Sequence, residues 1–324
     1  MSFPNLSDLV ATTIEARSSA IADNVTQHNG LLTALEKQGN IKTFDGGTTI
    51  VEAFSYGLNA NAGSYSGYDT LPTQASDNVS AATYNWSQYA VPVTFSGREQ
   101  LTNSGKAQII DLVEARVNVA ESTMKNLLNT HLYLDGTGNN GKNLTGLAAA
   151  VPLSATNVYG GIDRSIADNA FWRNKKFQAS VDGTGVAATG ADLIKYWNLY
   201  ITSLTRGTDR PDMIVASPAL YALFQTGLQV QQRFTSADSA NSGFQALMFQ
   251  GIPVVLDTAA SGIGTNTAYF LNTKYLKWRP HKDRNFVALD DKSSINQDAT
   301  VKTLVWAGNL TCSGAQFQGV FSNT

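Results

Sequence analysis

The chain runs to 324 residues, enough to bury a core as one large domain or two modest ones without a disulfide or metal staple. Only 15% of its residues are charged, against roughly 25% in an ordinary soluble protein; Asn, Ser, Thr, Gln and 27 Gly make up the balance, and the formal net charge is -2. Those figures argue against a protein built chiefly to bind nucleic acid; the single cysteine, Cys312, excludes an intrachain disulfide and a cysteine-rich zinc site, and His28, His131 and His281 are too widely spaced to form a histidine metal motif.

A weakly charged surface gives little repulsion between copies, which suits a protein that meets itself. The opening MSFPNLSDLVATTIEARSS lacks the basic region and apolar run of a signal peptide, and no stretch of about 18 apolar residues occurs anywhere. The chain is therefore expected in the cytosol.

From Leu6 to about Gly39, periodic apolar residues including Leu9, Ile14, Ile21, Leu31, Leu32 and Leu35 predict one or two helices, interrupted at Gly30 and stopped at Gly39. Between Asp45 and Gly97 the period changes to two: Ile50, Glu52, Phe54 and Tyr56 share one strand face. Tyr84 and Trp86 are followed one residue out of phase by Tyr89, Val91, Val93 and Phe95. That slip predicts a bulge near Ser87 and Gln88 in a long two-stranded arm with a polar, Gly-punctuated tip. A hairpin alone has too little core to be stable, so the arm should lie on something else. Asn103 or Ser104 can cap a helix reaching Leu134, with Ile110, Val113, Val117, Ala120, Met124, Leu127 and Leu128 on one face.

After a Gly- and Asn-rich turn, VDGTGVAATG reads as a linker into a new unit. Leu193, Trp197, Tyr200, Ile201 and Leu204 form a helical stripe; Met213 to Ala216 is a short buried strand; Ser217 and Pro218 fit the N-cap and first position of the next helix. Strand-like stretches follow at Gly251 to Asp257, Ala268 to Leu271, Phe286 to Leu289 and Val301 to Phe321, so the fold class is α+β.

Motifs for chemistry are hinted at and then fail. Gly136, Gly138 and Gly141 match GxGxxG and the start of a phosphate loop, but they follow a helix where a nucleotide loop must follow a strand. Asp135, Thr137 and Asn139 have calcium-loop spacing without the downstream glutamate. Cys312, in an apolar strand, reads as a small buried hydrophobe rather than a nucleophile.

What stands out is charge partition. Residues 45–97 carry Asp45, Glu52, Asp69 and Asp77 with no Lys or Arg, whereas Lys274, Lys277, Arg279, Lys282 and Arg284 surround Asp283 in KYLKWRPHKDR. An acidic arm and a basic strand would complement each other between copies. The same segments could instead be solvated faces, or the basic stripe could face enclosed nucleic acid.

A helical arm, a projecting hairpin, a spine-like helix, a Gly-rich turn and a mixed unit follow one another in an order that resembles the major capsid proteins of tailed bacteriophages, the Hong Kong 97-like fold shared with encapsulin shells. Within that order YLDGTGNNGKNLTGL, YGGIDRS with FWRN, PDMIVASPALYALF, FQGIPVVLD and WAGNLTCSGAQFQGVFS are each similar to family segments, collinear over nearly the whole chain. The resemblance implies an arm at 1–44, an extended β-hairpin loop at 45–97, a peripheral domain at 98–188 with its spine helix at about 104–134, an axial domain at 189–267 and returning strands at 268–324. It also implies hexamers and pentamers in an icosahedral shell enclosing double-stranded DNA, located in the virion and assembled in the host cytoplasm, with no enzymatic role and no cofactor. Partners would be further copies, a separate scaffolding protein, a portal and a cement protein.

The family's namesake ties its subunits through a lysine on the extended loop, and this loop has none, so the shell is expected to be noncovalent. Deleting residues 1–44 is expected to leave a folded monomer. The competing readings are an encapsulin-like compartment, an extended tail or adhesin-type binding protein, and a hydrolase in which Cys312 meets His131 or His281.

Overall fold

The computed structural model describes residues 30–59, 61–96, 98–99, 106–229, 247–257, 262–289, 292–293 and 299–324. In chain order the main elements are helix α1 (Gly30–Lys37), strands β1 (Ile50–Ser55), β2 (Val79–Tyr84) and β3 (Ser87–Ser96), helix α2 (Lys106–Tyr133), strand β4 (Lys175–Gln178), helix α3 (Gly190–Leu204), strand β5 (Met213–Ala216) and helix α4 (Pro218–Gln229). Strands β6 (Leu247–Phe249), β7 (Ile252–Leu256), β8 (Thr267–Leu271), β9 (Leu276–Ala288), β10 (Lys292–Ser293), β11 (Ala299–Cys312) and β12 (Gly319–Ser322) complete the chain.

Six strands form a mixed sheet in the order β4-β12-β8-β5-β7-β6. Side chains alternate across it, so each short apolar run serves two cores. Ile214, Ala216, Ala268, Phe270 and Phe321 face α3 and α4, where buried Trp197 stacks on Phe224 at 4.8 Å and meets Phe270 edge-on at 5.3 Å. Met213, Val215, Tyr269, Leu271 and Val320 face the larger core on the other side. Helices α3 and α4 touch at backbone distance, because a Cβ on Gly227 would lie 2.4 Å from the Gly190 carbonyl oxygen. At the start of α4 the Ser217 carbonyl accepts the first helical bond from Tyr221 N at 2.8 Å, whereas the Ser217 hydroxyl is buried without a partner.

The second sheet is organised by β11. Strand β9 pairs antiparallel along one edge, with β10 continuing that edge, and β3 pairs along the other from Ser87 opposite Gly308 to Ser96 opposite Ala299. This overturns the bulge expected near Ser87 and Gln88. Strand β2 pairs with β1, and the chain then leaves the hairpin at Asn85 and Trp86, so the phase slip is a strand boundary. The physical reason is burial: Tyr89, Val93 and Phe95 are inside, cover that the sheet's centre and helix α2 can supply and a free two-stranded arm cannot.

Helix α2, about 42 Å long, buries Val117, Ala120, Met124, Leu128, Leu132 and Tyr133, while Leu127 is more exposed than its place in the stripe suggested. The capping candidates Asn103 and Ser104 lie outside the described residues, as does residues 1–29 of the expected helical arm. The Gly-rich segment closes the helix. Asp135 accepts from Thr137 N at 3.0 Å, Asn139 and Asn140 are left-handed, and Gly146 returns so close that a Cβ would sit 2.3 Å from the Leu132 carbonyl oxygen.

Residues 30–44 are not a dispensable arm. Leu31, Leu32 and Leu35 are buried in the larger core, and residues 40–44 lie parallel beside β9, with Lys42 N donating to Trp278 O and Phe44 N to Pro280 O, both at 3.0 Å. Deletion of 1–44 therefore removes core leucines and a sheet edge, which corrects the expectation of an intact monomer.

The YGGIDRS and FWRN segments build the seat of the hairpin. Gly160 and Gly161 both have positive φ, and Thr83 N of β2 donates to Gly160 O at 2.9 Å. Arg164 is fully buried, its Nη2 donating to Ala150 O at 2.8 Å and its guanidinium 4.6 Å from the Tyr159 ring. Trp172 Nε1 donates to Tyr159 O at 2.9 Å, which turns the indole face to the hairpin, where Phe54 stacks on it at 4.5 Å. Trp172→Ala is expected to cost about 3–5 kcal/mol, whereas Tyr68→Ala on the exposed tip should change stability by less than about 0.5 kcal/mol. Urea unfolding of the unassembled chain compares the two; equal effects would contradict this account of the seat.

Candidate assembly surface

Among the described residues the hairpin's tip carries the most exposed large apolar side chains. The hairpin strands pair over six positions, from Ile50 opposite Tyr84 to Ser55 opposite Val79. Beyond them the tip, residues 56–78, exposes Leu58 and Tyr68 fully and Tyr65 and Leu71 by more than half. Isolated apolar side chains on a surface need no explanation, whereas four on one polar loop make this tip the candidate for an assembly contact. Asp69 and Asp77 are exposed on the same tip, and Asp69 accepts from Ser66 N at 2.8 Å.

The eight residues singled out by charge separate into three groups. Glu52, Lys277 and Arg279 meet within the chain: Lys277 Nζ lies 3.0 Å from Glu52 Oε2, and Arg279 Nε and Nη2 each lie 2.7 Å from Oε1. Thr311, which charge patterning could not reveal, donates to the same Oε1 at 2.9 Å. Glu52 is 4% exposed. Burial pushes its carboxyl pKa up, but the hydrogen bonds from Arg279, Lys277 and Thr311 outweigh burial and hold it below the usual carboxylate value. Removing one partner from so buried a pair costs about 3–5 kcal/mol, because the opposite charge is stranded. For these three residues the expected meeting between copies is corrected to a meeting inside one copy. The local cause is placement: β1 lies across the end of β11, where Lys277 and Thr311 are opposed in register. A signal was present in the sequence, since Glu52 alternates on the same face as Ile50 and Phe54.

Lys274 forms the second group, an exposed pair with Asp209 at 3.3 Å beside Tyr275. The third comprises Asp69 and Asp77 on the tip and Lys282 and Arg284 on β9, all exposed. The register of β9 against β11 slips between Pro280 and Asn285, so residues 281–284 have no register partner on β11, although Lys282 N donates to Phe44 O at 3.1 Å.

The residues considered for catalysis are engaged separately. Cys312 is fully buried, and burial pushes its thiol up to about 11, against nucleophilic use. Tyr84 Oη brackets it, donating to Cys312 O at 2.6 Å and accepting from Cys312 N at 3.2 Å. His131 Nδ1 lies 2.7 Å from Tyr89 Oη, and burial lowers its pKa; His281 packs edge-on against Trp86 and accepts at Nδ1 from Asp283 N at 3.1 Å. His28 lies outside the described residues. Among the described residues no group of three or more His, Cys, Asp or Glu is placed to hold a metal ion, and no helix is long and apolar enough to cross a membrane.

Comparison with known proteins gives a consistent result at the level of three-dimensional structure alone. No protein-family model and no curated protein sequence matches the chain. Among solved structures, a subunit of the capsid of cyanophage A-1(L) matches with a TM-score of 0.64 at 17% identity, covering 88% of this chain and 90% of that one. The capsid of the Myoviridae phage XM1 matches at TM-score 0.54 and 13% identity, covering 90% and 92%. An encapsulin from Synechococcus elongatus PCC 7942 matches at 0.55 and 9%, covering 88% and 85%. Over almost its whole length, then, the chain has the α+β Hong Kong 97-like fold of tailed-phage capsid proteins and encapsulin shells.

Proposed function

We propose that the chain is a major capsid protein whose copies assemble as hexamers and pentamers into an icosahedral shell around double-stranded phage DNA. The observation that carries this reading is the match to phage capsid subunits over 88% of the chain or more. The exposed apolar and acidic tip supports it, because such a surface is stabilised by covering it. In this reading residues 1–44 are the arm, seated in the core from Leu31 onward, 45–97 the extended loop, whose last strand β3 returns to the body sheet beside β11, 98–188 the peripheral domain, 189–267 the axial domain and 268–324 the return. Asp69 and Asp77 of one copy meet Lys282 and Arg284 of a neighbour. The shell assembles in the host cytoplasm with a separate scaffolding protein and a portal, takes a cement protein, and touches its DNA without sequence preference.

The encapsulin match supports a second reading, a compartment shell of the same build. Nucleic acid separates them: particles from infected cells carry nuclease-protected DNA if the first reading holds and lack it if the second does.

Negative-stain electron microscopy of the purified protein is expected to show closed shells of uniform diameter; a chain that stays monomeric under every assembly condition would overturn the proposal. Denaturing gel electrophoresis of those particles should give one 34.7 kDa band, since the loop offers no lysine for a covalent tie, and a ladder of larger species would contradict this. Reversing both Asp69 and Asp77 to Lys should leave the circular dichroism spectrum unchanged and reduce shell yield at least tenfold, with recovery when Lys282 and Arg284 are changed to Glu. Normal yield from the first variant removes the tip carboxylates from assembly.

A further inference from the structure

We propose that Glu52 sets the direction in which the hairpin leaves the body, acting as a positioning residue through Lys277, Arg279 and Thr311, and thereby fixes the geometry with which copies meet. The second half of this rests on the shell reading above.

The hairpin is attached to the body in two physically different ways. Phe54 and Tyr56 stack on Trp172 and Phe171 at 4.5 and 4.9 Å, and stacked faces hold a spacing while tolerating sliding and rotation. Glu52 does neither. Its two oxygens point to different partners, Oε2 to Lys277 and Oε1 to Arg279 and Thr311, and those donors come from two strands of one sheet. A carboxylate held at both ends from two strands fixes the rotation and the register of β1 together. Arg279 is itself backed, its guanidinium 5.8 Å from the ring of Phe44 in the segment that edges β9. Three more strand residues carry the arm about 10 Å past Glu52, and within the tip Ser66 bonds to Asp69 and Asn61 to Gln74, bonds that shape the loop without aiming it. Any change of angle at Glu52 is therefore enlarged at Tyr65 and Tyr68.

A merely stabilising role and a directing role are separable, because a buried ion cluster replaced throughout by apolar residues of similar volume keeps stability but loses its directional bonds. Two full-length variants test this: Glu52→Gln, and the triple change Glu52→Met, Lys277→Met, Arg279→Met. In Glu52→Gln, amides of β1 and β2 are expected to exchange with deuterium at least tenfold faster, while those of β5 and β8 keep their protection. In the triple variant, urea stability is expected to match the parent while regular shells fall at least tenfold in favour of irregular particles. Regular shells at parental yield from the triple variant, or an equal loss of protection at β1, β2, β5 and β8 in Glu52→Gln, overturns the proposal and leaves the shell reading in place. Failure of the parent chain to form shells overturns the shell reading, and the hairpin exchange then decides the positioning role by itself.

Discussion

Nine consecutive residues of β11, Leu304 to Cys312, are buried, and the rest of the molecule is arranged by what such a strand requires. Every backbone N–H and C=O along it must be paired, so both edges have to be occupied. Strand β9 takes one and β3 the other, although β3 lies some two hundred residues earlier in the chain. The last residues of β11 also receive the hairpin: Thr311 donates to Glu52, and Cys312 exchanges two bonds with the Tyr84 hydroxyl. The part of the chain that projects and the part that is most buried are thus joined within two residues.

That junction explains why a hairpin with six residues per strand can stand out from the body. Its apolar positions are too few to hold it, but Ile50, Glu52, Phe54, Ala82 and Tyr84 find a floor in Trp172, Tyr159 and the end of β11. The floor depends on Gly160, where a Cβ would come within 2.8 Å of Ala82 Cβ, so the close approach needs both the missing side chain and the positive φ that glycine allows. The six-stranded sheet solves a different problem, dividing its side chains between two cores, and it lets α3 and α4 pack without involving the hairpin.

Much of this was legible in the sequence, and the failures share a cause. Local period gave the long helix, the short buried strands MIVA and AYFL and the hairpin's alternation, because each is written within a few residues. Period says which face is buried and is silent on what buries it. Tyr89, Val93 and Phe95 declare a strand face, but nothing near them names β11 as the partner; Leu31, Leu32 and Leu35 declare an apolar stripe, but not that it lies in the main core. Charge behaves likewise. The opposite signs of Glu52 and of Lys277 with Arg279 were visible, while the closure of the pair inside one copy depends on a crossing of β1 over β9 that no spacing encodes. Only the alternation of Glu52 with Ile50 and Phe54 pointed inward.

The scarcity of charge can now be read residue by residue. Of the eight residues singled out by charge, Glu52 is neutralised inside with Lys277 and Arg279, and Lys274 is answered by Asp209 at the surface, which leaves Asp69 and Asp77 exposed on the tip and Lys282 and Arg284 exposed on β9. A strand in continuous register would send Lys282 and Arg284 to one face of the sheet along with their neighbours. The slip between Pro280 and Asn285 forfeits ladder bonds to β11 where both cations are exposed, and pairing resumes at Asn285 opposite Trp306, with a second shift before Val287 opposite Val305. A surface destined to be covered tolerates few charges, since each unpaired one must be stripped of water. In the proposed shell, two exposed carboxylates on the tip and two exposed cations on β9 would meet that constraint by answering each other between copies.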